Sequence, residues 1–244
     1  MCTVSLIVRP DGYLLAMNRD ERRTRPRGRP PAIHRRRDRT VLMPSEPAGG
    51  SWIAVNDAGA SFALINWYRV TGPDPHPPAS RGLVVPALAA TTSIAAAGAA
   101  LRQLPLAGLR PFRLIGVFPG ERGIGEWRWN GRQLIRRRRA WADRAWVSSG
   151  FDEPAAQRIR GAIFQHARRQ ADAGSVAWLR RLHCSHRPGP GPFSFCMHRD
   201  DAVTVSYTEV LVSTRRVRMH HRLGAPCGDA VSSPSSTNRL LRRG

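Results

Sequence analysis

The first residues of the chain limit its possible fold and chemistry the most. Cys2 follows the initiator Met1 directly, and a strand-like run occupies residues 3–8. If Met1 is removed, Cys2 carries a thiol and a free α-amine on the same residue. An α-amine has an unperturbed pKa of about 7.7–8.0, so it can accept the thiol proton near neutral pH. The pattern predicts a nucleophile with its own base at the head of a strand. The plainer interpretation is a small residue at a chain start.

The surface is strongly basic, because the 244 residues carry a net charge of +22 and all 39 basic residues are arginine. Such a surface attracts polyanions. The arginine runs at 35–37 and 136–139 lack the interleaved aromatic side chains of a base-stacking platform. We therefore expect no specific nucleic acid partner and interpret the arginines as a solvated surface shaped by GC-rich coding. Polyanion binding remains an alternative.

The chain has neither a membrane span nor a secretion signal in its pattern. No run reaches the roughly 18 apolar residues of a span, and Arg9, Asp11 and Arg19 interrupt the N-terminus too early for a signal peptide. Its four cysteines do not make a disulfide scaffold in a chain of this length. These observations predict a cytoplasmic location.

Apolar periodicity and turn residues divide the chain into strands, helices and loops. The predicted strands are 3–8, 13–17, 51–55, 62–67, 112–118, 125–129, 133–136, 202–207 and 209–213. The predicted helices are 82–104, 153–173 and 175–182, and the main predicted loops are 22–50 and 73–78. In the second helix, Ile159, Ile163 and Ala167 repeat at helical spacing and define the expected buried face.

This order of elements favours an α+β layered domain and fits a four-layer αββα sandwich. We predict a single domain over residues 1–222. Residues 223–244 lack periodicity and are rich in Gly, Ser, Pro and Arg, so they are predicted to form a disordered basic tail.

Four short motifs follow the N-terminal Met-Cys-Thr-Val in a fixed order. They are Asn-Arg-Asp-Glu at 18–21, Gly-Gly-Ser-Trp at 49–52, Ala-Leu-Ile-Asn at 63–66 and Ser-Arg-Gly at 80–82. Together they resemble the NRDE family, also called the transport-and-Golgi-organisation family, over residues 1–85. A looser resemblance, to a C-terminal strand pair of bacterial members, covers 196–199 and 204–208.

The resemblance implies a fold like that of the N-terminal-nucleophile (Ntn) hydrolases, more distantly similar to bile-salt and penicillin-V amidases. It implies that Cys2 is the nucleophile and that Asp20 holds the α-amine or thiol. It further implies that Arg19 lowers the thiol pKa or binds substrate, and that Asn66 donates to the oxyanion. Relatives often carry a Ser-Asn pair where this chain has Ser-Ser-Gly at 148–150, so a second oxyanion donor is missing.

Four further residues are expected to contact a small-molecule substrate or ligand: Gly50, Trp52, Arg81 and Arg199. Each has a structural alternative, since paired glycines are common in turns and arginines are common on surfaces. We expect cleavage of a carbon–nitrogen amide bond in a small acyl-amide, with no cofactor. The alternative is a non-catalytic carrier of the same fold for a lipid-derived ligand or haem.

One group of potential metal ligands falls within 16 residues: His183, Cys184, His186, Cys196 and His198. Cysteine and histidine are zinc ligands, and four of these would complete a tetrahedral site. Their spacing is unlike that of zinc ribbons or fingers, so the sequence favours ordinary loop residues and predicts no metal. Haem contact is the other alternative.

Overall fold

The computed structural model describes residues 1–70, 75, 78–228 and 234–243. Within those ranges the strands are β1 (Cys2–Arg9), β2 (Gly12–Arg22), β3 (Arg29–Arg36), β4 (Arg39–Ser45), β5 (Ile53–Asn56), β6 (Ser61–Asn66), β7 (Phe112–Phe118), β8 (Gly123–Trp129), β9 (Leu134–Arg139), β10 (Arg144–Ser148), β11 (Ala202–Val212), β12 (Arg216–Leu223) and β13 (Ser235–Leu241). The α-helices are α1 (Val84–Leu88), α2 (Ile94–Arg102), α3 (Glu153–Ala167) and α4 (Val176–Cys184).

The strands form two antiparallel sheets. The first sheet has the order β10-β1-β2-β11-β12-β13, so the N-terminal strand lies inside it. The second sheet runs in chain order from β3 to β9. Alternation along β1 sends Val4 and Leu6 into the core between the sheets, while Ile7 faces the helices behind the first sheet.

Helices cover the outer face of each sheet. Val85 of α1 and Leu101 of α2 pack with Phe62 of the second sheet. Phe164 of α3 and Trp178 of α4 pack in one cluster with residues of β1 and β2 in the first sheet. The layers therefore follow the order helix, sheet, sheet, helix. The predicted α+β, four-layer αββα sandwich is confirmed.

Two sequence predictions about the first half are wrong in detail. The loop predicted over 22–50 contains the hairpin of β3 and β4. Arginine and proline obscure β3 in the sequence, and only Pro31 of this strand is buried. The helix predicted over 82–104 is two helices, because Ser93 caps a new one by accepting from Ala96 N at 3.1 Å. The loop predicted at 73–78 lies mostly outside the described residues.

The predicted disordered tail also needs correction. Ser235–Leu241 forms β13, which pairs antiparallel with β12 along seven residues from Arg216↔Leu241 to Arg222↔Ser235. The side chain of Leu240 packs against the core between the sheets. Residues 229–233 and 244 lie outside the described ranges. That residues 1–222 form one domain remains a prediction, and its boundary falls within β12.

The two arginine runs lie at opposite edges of the second sheet, on β3 and β9. On β9, Arg139 is bound at 2.8 Å by the buried Glu126 of β8. Charged edge strands resist pairing with other chains. The runs therefore do not form one continuous patch.

No helix of the described ranges is long and apolar enough to cross a membrane.

Candidate active site

Cys2 is held in the sheet from both sides. It lies opposite Arg19 of β2 and opposite Ser148 of β10, at the head of β1. Its side chain is buried, with the residue 7% exposed. Because strand partners in an antiparallel pair share a face, Cys2, Arg19 and Ser148 project to the same side of the sheet.

Met1 extends this ladder by one residue in the unprocessed chain. Its amine donates to Asp20 O at 2.9 Å, and its carbonyl accepts from Asp20 N at 3.0 Å. The Tyr68 hydroxyl lies 3.5 Å from the same amine, and Ser149 Oγ donates to Met1 Sδ at 3.6 Å. Met1 is thus held in place at the head of β1 by contacts with Asp20 and Ser149.

The charges around the terminus set its protonation in this unprocessed form. Burial works to lower the pKa of the Met1 amine, but Cys2, Tyr68 and Asp20 outweigh it and raise that pKa to about 10. Burial raises the pKa of the Cys2 thiol, although the Met1 ammonium works in the opposite direction. With Met1 in place, the amine is protonated near neutral pH and the thiol stays neutral.

Asp20 lies at the centre of a buried polar group. Its Oδ1 accepts from Thr204 Oγ1 at 2.7 Å, and its Oδ2 lies 3.6 Å from Arg160 Nη1. Oδ2 is buried and has no hydrogen-bond partner among the described residues. Burial raises the Asp20 pKa, and the Arg160 charge opposes that rise. One carboxylate oxygen is therefore left able to accept a proton donor.

Arg160 is a site residue that the sequence interpretation missed. It is fully buried on α3, where it donates to Thr3 Oγ1 at 2.5 Å and to Pro192 O at 2.9 Å. Burial lowers its pKa, while the charges of Asp20 and Cys2 raise it. Arg160 is thus a buried counter-ion for the carboxylate of Asp20.

The predicted buried face of α3 has the right period and is correct for Ala167, which is buried. The other two predicted residues, Ile159 and Ile163, are half-buried, whereas Ala156, Arg160 and Phe164 are buried at i, i+4 and i+8. An arginine between two apolar positions of one stripe was the available signal. It was obscured because 39 arginines make any one of them unremarkable in the sequence.

Arg19 and Trp52 form a stacked pair. The guanidinium of Arg19 lies 4.3 Å from the centre of the Trp52 ring and binds Glu46 Oε1 at 2.5 Å. A second carboxylate, on Glu21, lies 3.5 Å away. The Arg19 charge is thus already paired, and Trp52 is buried in the core between the sheets.

Gly50 is explained by a close approach of two backbones. A Cβ on Gly50 would lie 3.1 Å from the Cα of Gly82, and Ser51 N donates to Gly82 O at 2.9 Å. The preceding Gly49 has φ +85°, a turn conformation that favours glycine. This contact holds the Ser-Arg-Gly segment beside the strand that follows Gly50.

Asn66 reaches the terminus through Tyr68, which the sequence interpretation did not single out. Asn66 Nδ2 donates to the Tyr68 hydroxyl at 2.7 Å, and that hydroxyl faces the Met1 amine. A Cβ on Gly150 would lie 3.3 Å from the Tyr68 ring, so this glycine leaves room for the tyrosine. Asn66, Tyr68 and the 148–150 segment therefore line one side of the site.

Arg81 and Arg199 differ in position. Arg81 donates to Pro111 O at 3.1 Å, and burial lowers its pKa against the opposing effects of Tyr68, Glu21 and Cys2. Arg199 pairs with Asp201 at 2.9 Å and lies 5.1 Å from the ring centre of Phe151, which is 60% exposed. Arg199 is thus half-buried beside an exposed aromatic ring.

The first 117 residues, which include Cys2, Arg19, Asp20 and Asn66, are similar to a known protein family. The family described as Transport and Golgi organisation 2 matches residues 1–117, which confirms the resemblance of the motifs over residues 1–85. No curated protein matches the chain.

Two solved structures are similar to this fold. The penicillin V acylase from Agrobacterium tumefaciens has a TM-score of 0.50 at 9% identity, over 91% of this chain and 83% of that one. A conjugated bile acid hydrolase from Clostridium perfringens, solved as a cysteine-to-alanine mutant, has a TM-score of 0.49 at 10% identity, over 99% of this chain and 92% of that one. At such identities the likeness to the acylase concerns the fold, which is that of Ntn hydrolases.

Proposed function

We propose that this chain, once Met1 is removed, is an Ntn-type cysteine hydrolase that cleaves a carbon–nitrogen amide bond in a small acyl-amide. One observation carries the proposal. Cys2 is fixed by strands on both sides beside the buried Asp20, whose Oδ2 has no hydrogen-bond partner among the described residues. Removal of Met1 leaves an α-amine on Cys2 within electrostatic range of that carboxylate, which is suited to hold it.

In the reaction, the neutral α-amine of Cys2 takes the thiol proton, and the thiolate attacks the amide carbonyl. The tetrahedral intermediate collapses as the carbon–nitrogen bond breaks, and the leaving amine takes a proton from the α-ammonium. The resulting thioester is then attacked by water, which gives its proton to the α-amine. The products are a carboxylic acid and an amine, and Cys2 is restored.

Four other side chains have roles in this proposal. Asn66 Nδ2 is the donor for the developing oxyanion, with Tyr68 holding it in place at 2.7 Å. Burial raises the Asp20 pKa, and the Arg160 charge opposes that rise and so favours the carboxylate form. Arg81 supplies a positive charge for an anionic part of the substrate.

The test is hydrolysis of a panel of N-acyl amino acids and related amides by the processed chain. Cys2→Ala is expected to abolish turnover with the fold intact. The matched control is Cys184→Ala, which removes a half-buried thiol on α4 and leaves the rate unchanged. Turnover that is undiminished in the Cys2→Ala protein would refute the proposal.

A second candidate is favoured by the contacts of Met1 itself. With Met1 retained, its amine and sulfur are both partnered, and Cys2 lacks a base of its own. A chain that keeps Met1 suits the alternative predicted from the sequence, a carrier of a lipid-derived ligand or haem. The intact mass of the protein from its native host separates the two, because only the hydrolase requires the loss of Met1.

A further inference from the structure

We propose that His186, Cys196, His198 and Cys227 form a tetrahedral zinc site, separate from Cys2, that fastens the segment after β12 to the loop between α4 and β11. One ligand atom from each of the four residues lies within 4.8 Å of all the others. The four residues come from two stretches of the chain that are 29 residues apart at their closest, at His198 and Cys227.

The distances between these atoms match a coordination shell. Cys196 Sγ lies 3.4 Å from Cys227 Sγ, and His198 Nε2 lies 3.5 Å from Cys196 Sγ and 3.3 Å from Cys227 Sγ. Tetrahedral zinc with bonds of about 2.3 Å to sulfur and about 2.0 Å to nitrogen separates its ligand atoms by roughly 3.3–3.8 Å. The three atoms are thus already spaced as the edges of such a tetrahedron.

His186 supplies the fourth corner. Its Nε2 is buried and has no hydrogen-bond partner among the described residues. Its ring lies 5.0 Å from the ring of His198, nearly perpendicular to it. A buried ring nitrogen facing a cluster of sulfur and nitrogen atoms requires a partner, and a metal ion supplies one.

The ligand set selects the metal. Two cysteines and two histidines suit zinc, whereas hard oxygen-binding ions such as Mg²⁺ and Ca²⁺ avoid sulfur. Two thiolates neutralise the charge of Zn²⁺, so the site adds no net charge to a chain that already carries +22.

The structure changes the membership of the cluster that the sequence suggested. His183 is engaged elsewhere, since its ring nitrogens lie 3.0 Å from Asn18 Oδ1 and from Ser5 Oγ. Cys184 Sγ donates to Pro226 O at 3.3 Å. Cys227, from the predicted disordered tail, takes the place of these two. The ligand spacing in the structure is therefore that of His186, Cys196, His198 and Cys227, and neither His183 nor Cys184 belongs to it.

Two hydrogen bonds through the side chain of Thr204 connect the site to the nucleophile region. Met197 lies between two of the ligands, and its N–H donates to Thr204 Oγ1 at 2.8 Å. Thr204 Oγ1 in turn donates to Asp20 Oδ1 at 2.7 Å. Zinc would fix the loop that orients Thr204, so its role is structural and it takes no part in the reaction.

The test is metal analysis of the full chain after expression with zinc and removal of loosely bound ions. We expect about one zinc per chain, lost in Cys227→Ser and in Cys196→Ser and kept in Cys184→Ser. Cys184→Ser is the matched control because its sulfur is close by but outside the ligand set. Circular dichroism of each variant checks that the fold is retained.

Cobalt provides a second measurement on the unaltered chain. Co²⁺ should give thiolate-to-cobalt charge-transfer bands and the intense visible bands of a tetrahedral centre. A chain without zinc that shows a Cys196–Cys227 disulfide by mass would overturn the proposal. So would zinc retained in Cys227→Ser with the fold intact, or a chain that takes up neither zinc nor cobalt.

Discussion

Met1 and Asp20 exchange two backbone hydrogen bonds, of 2.9 and 3.0 Å, and so continue the β1–β2 ladder to the first residue of the unprocessed chain. An aminopeptidase needs an extended, unpaired terminus. We therefore expect removal of Met1 on the nascent chain, before the first sheet forms.

Blocking the terminus tests this requirement directly. A chain with an uncleaved N-terminal extension should lose amide hydrolysis by about 100-fold or more, because general-base catalysis by the α-amine is lost. Turnover and intact mass are measured together. The control carries the same extension at the C-terminus. Equal activity of the two proteins would contradict a role for the α-amine.

The reactivity of Cys2 should depend on Met1 and Asp20 together. In a chain that keeps Met1, the charge of Asp20 raises the Cys2 pKa, so Asp20→Asn should speed labelling by limiting iodoacetamide. In the processed chain, Asp20→Asn should slow labelling, because the α-amine loses the carboxylate that holds it. Peptide mapping by mass spectrometry gives both rates, with Asp200→Asn as the exposed control.

A change of the same sign in both forms would contradict a direct contact between Asp20 and the Cys2 amine. Arg19→Ala should have a smaller effect, since Glu46 already binds the Arg19 guanidinium at 2.5 Å.

Among the other thiols, the exposed Cys227 should label fastest in metal-free protein. Zinc should protect it if the site proposed above is occupied.

The stability of the fold should fall in acid because of His183. Burial and the Arg160 charge lower the pKa of His183 to about 3, from an ordinary value of 6.5. The unfolded chain therefore binds a proton that the folded chain does not, so stability is complete above pH 6.5 and is lost as pH falls toward 3. This proton lowers the free energy of unfolding by up to about 1.4 kcal/mol per pH unit in that window.

Urea titrations across that range measure the effect. His183→Gln should flatten the dependence by about one proton, and its amide can replace part of the contact with Asn18 and Ser5. His166→Gln, at an exposed position of α3, is the matched control and should leave the slope unchanged. An unaltered slope in His183→Gln would assign the acid sensitivity to other groups.

Two neighbouring leucines test the position of β13. Leu240 packs against the core between the sheets, whereas Leu241 is 76% exposed. Leu240→Ala should lower the free energy of unfolding by about 1–2 kcal/mol, because a partly buried side chain is lost. Leu241→Ala should change it by less than about 0.5 kcal/mol. Urea denaturation measures both, and equally small effects would restore the disordered tail.

The sequence alone determined the features that arise from local patterns and fixed motifs. Alternation predicted β1 to within one residue at each end and the first half of β2, which runs five residues further, to Arg22. The order of elements favoured the αββα layers. The resemblance of the motifs implied that Arg19 and Asp20 lie beside Cys2, and the hairpin of β1 and β2 pairs Cys2 with Arg19. Strands joined by a tight turn pair with each other, so these features need no contact between distant segments.

Only the tertiary structure decided which distant residues meet. Arg160 reaches Asp20 across 140 positions, and Cys227 reaches His198 across 29. No local period encodes such contacts, since any of 39 arginines was eligible for the first and the tail had no periodic pattern for the second. Packing of α3 against the first sheet and pairing of β12 with β11 make these contacts, because they bury apolar faces that no single segment can bury alone.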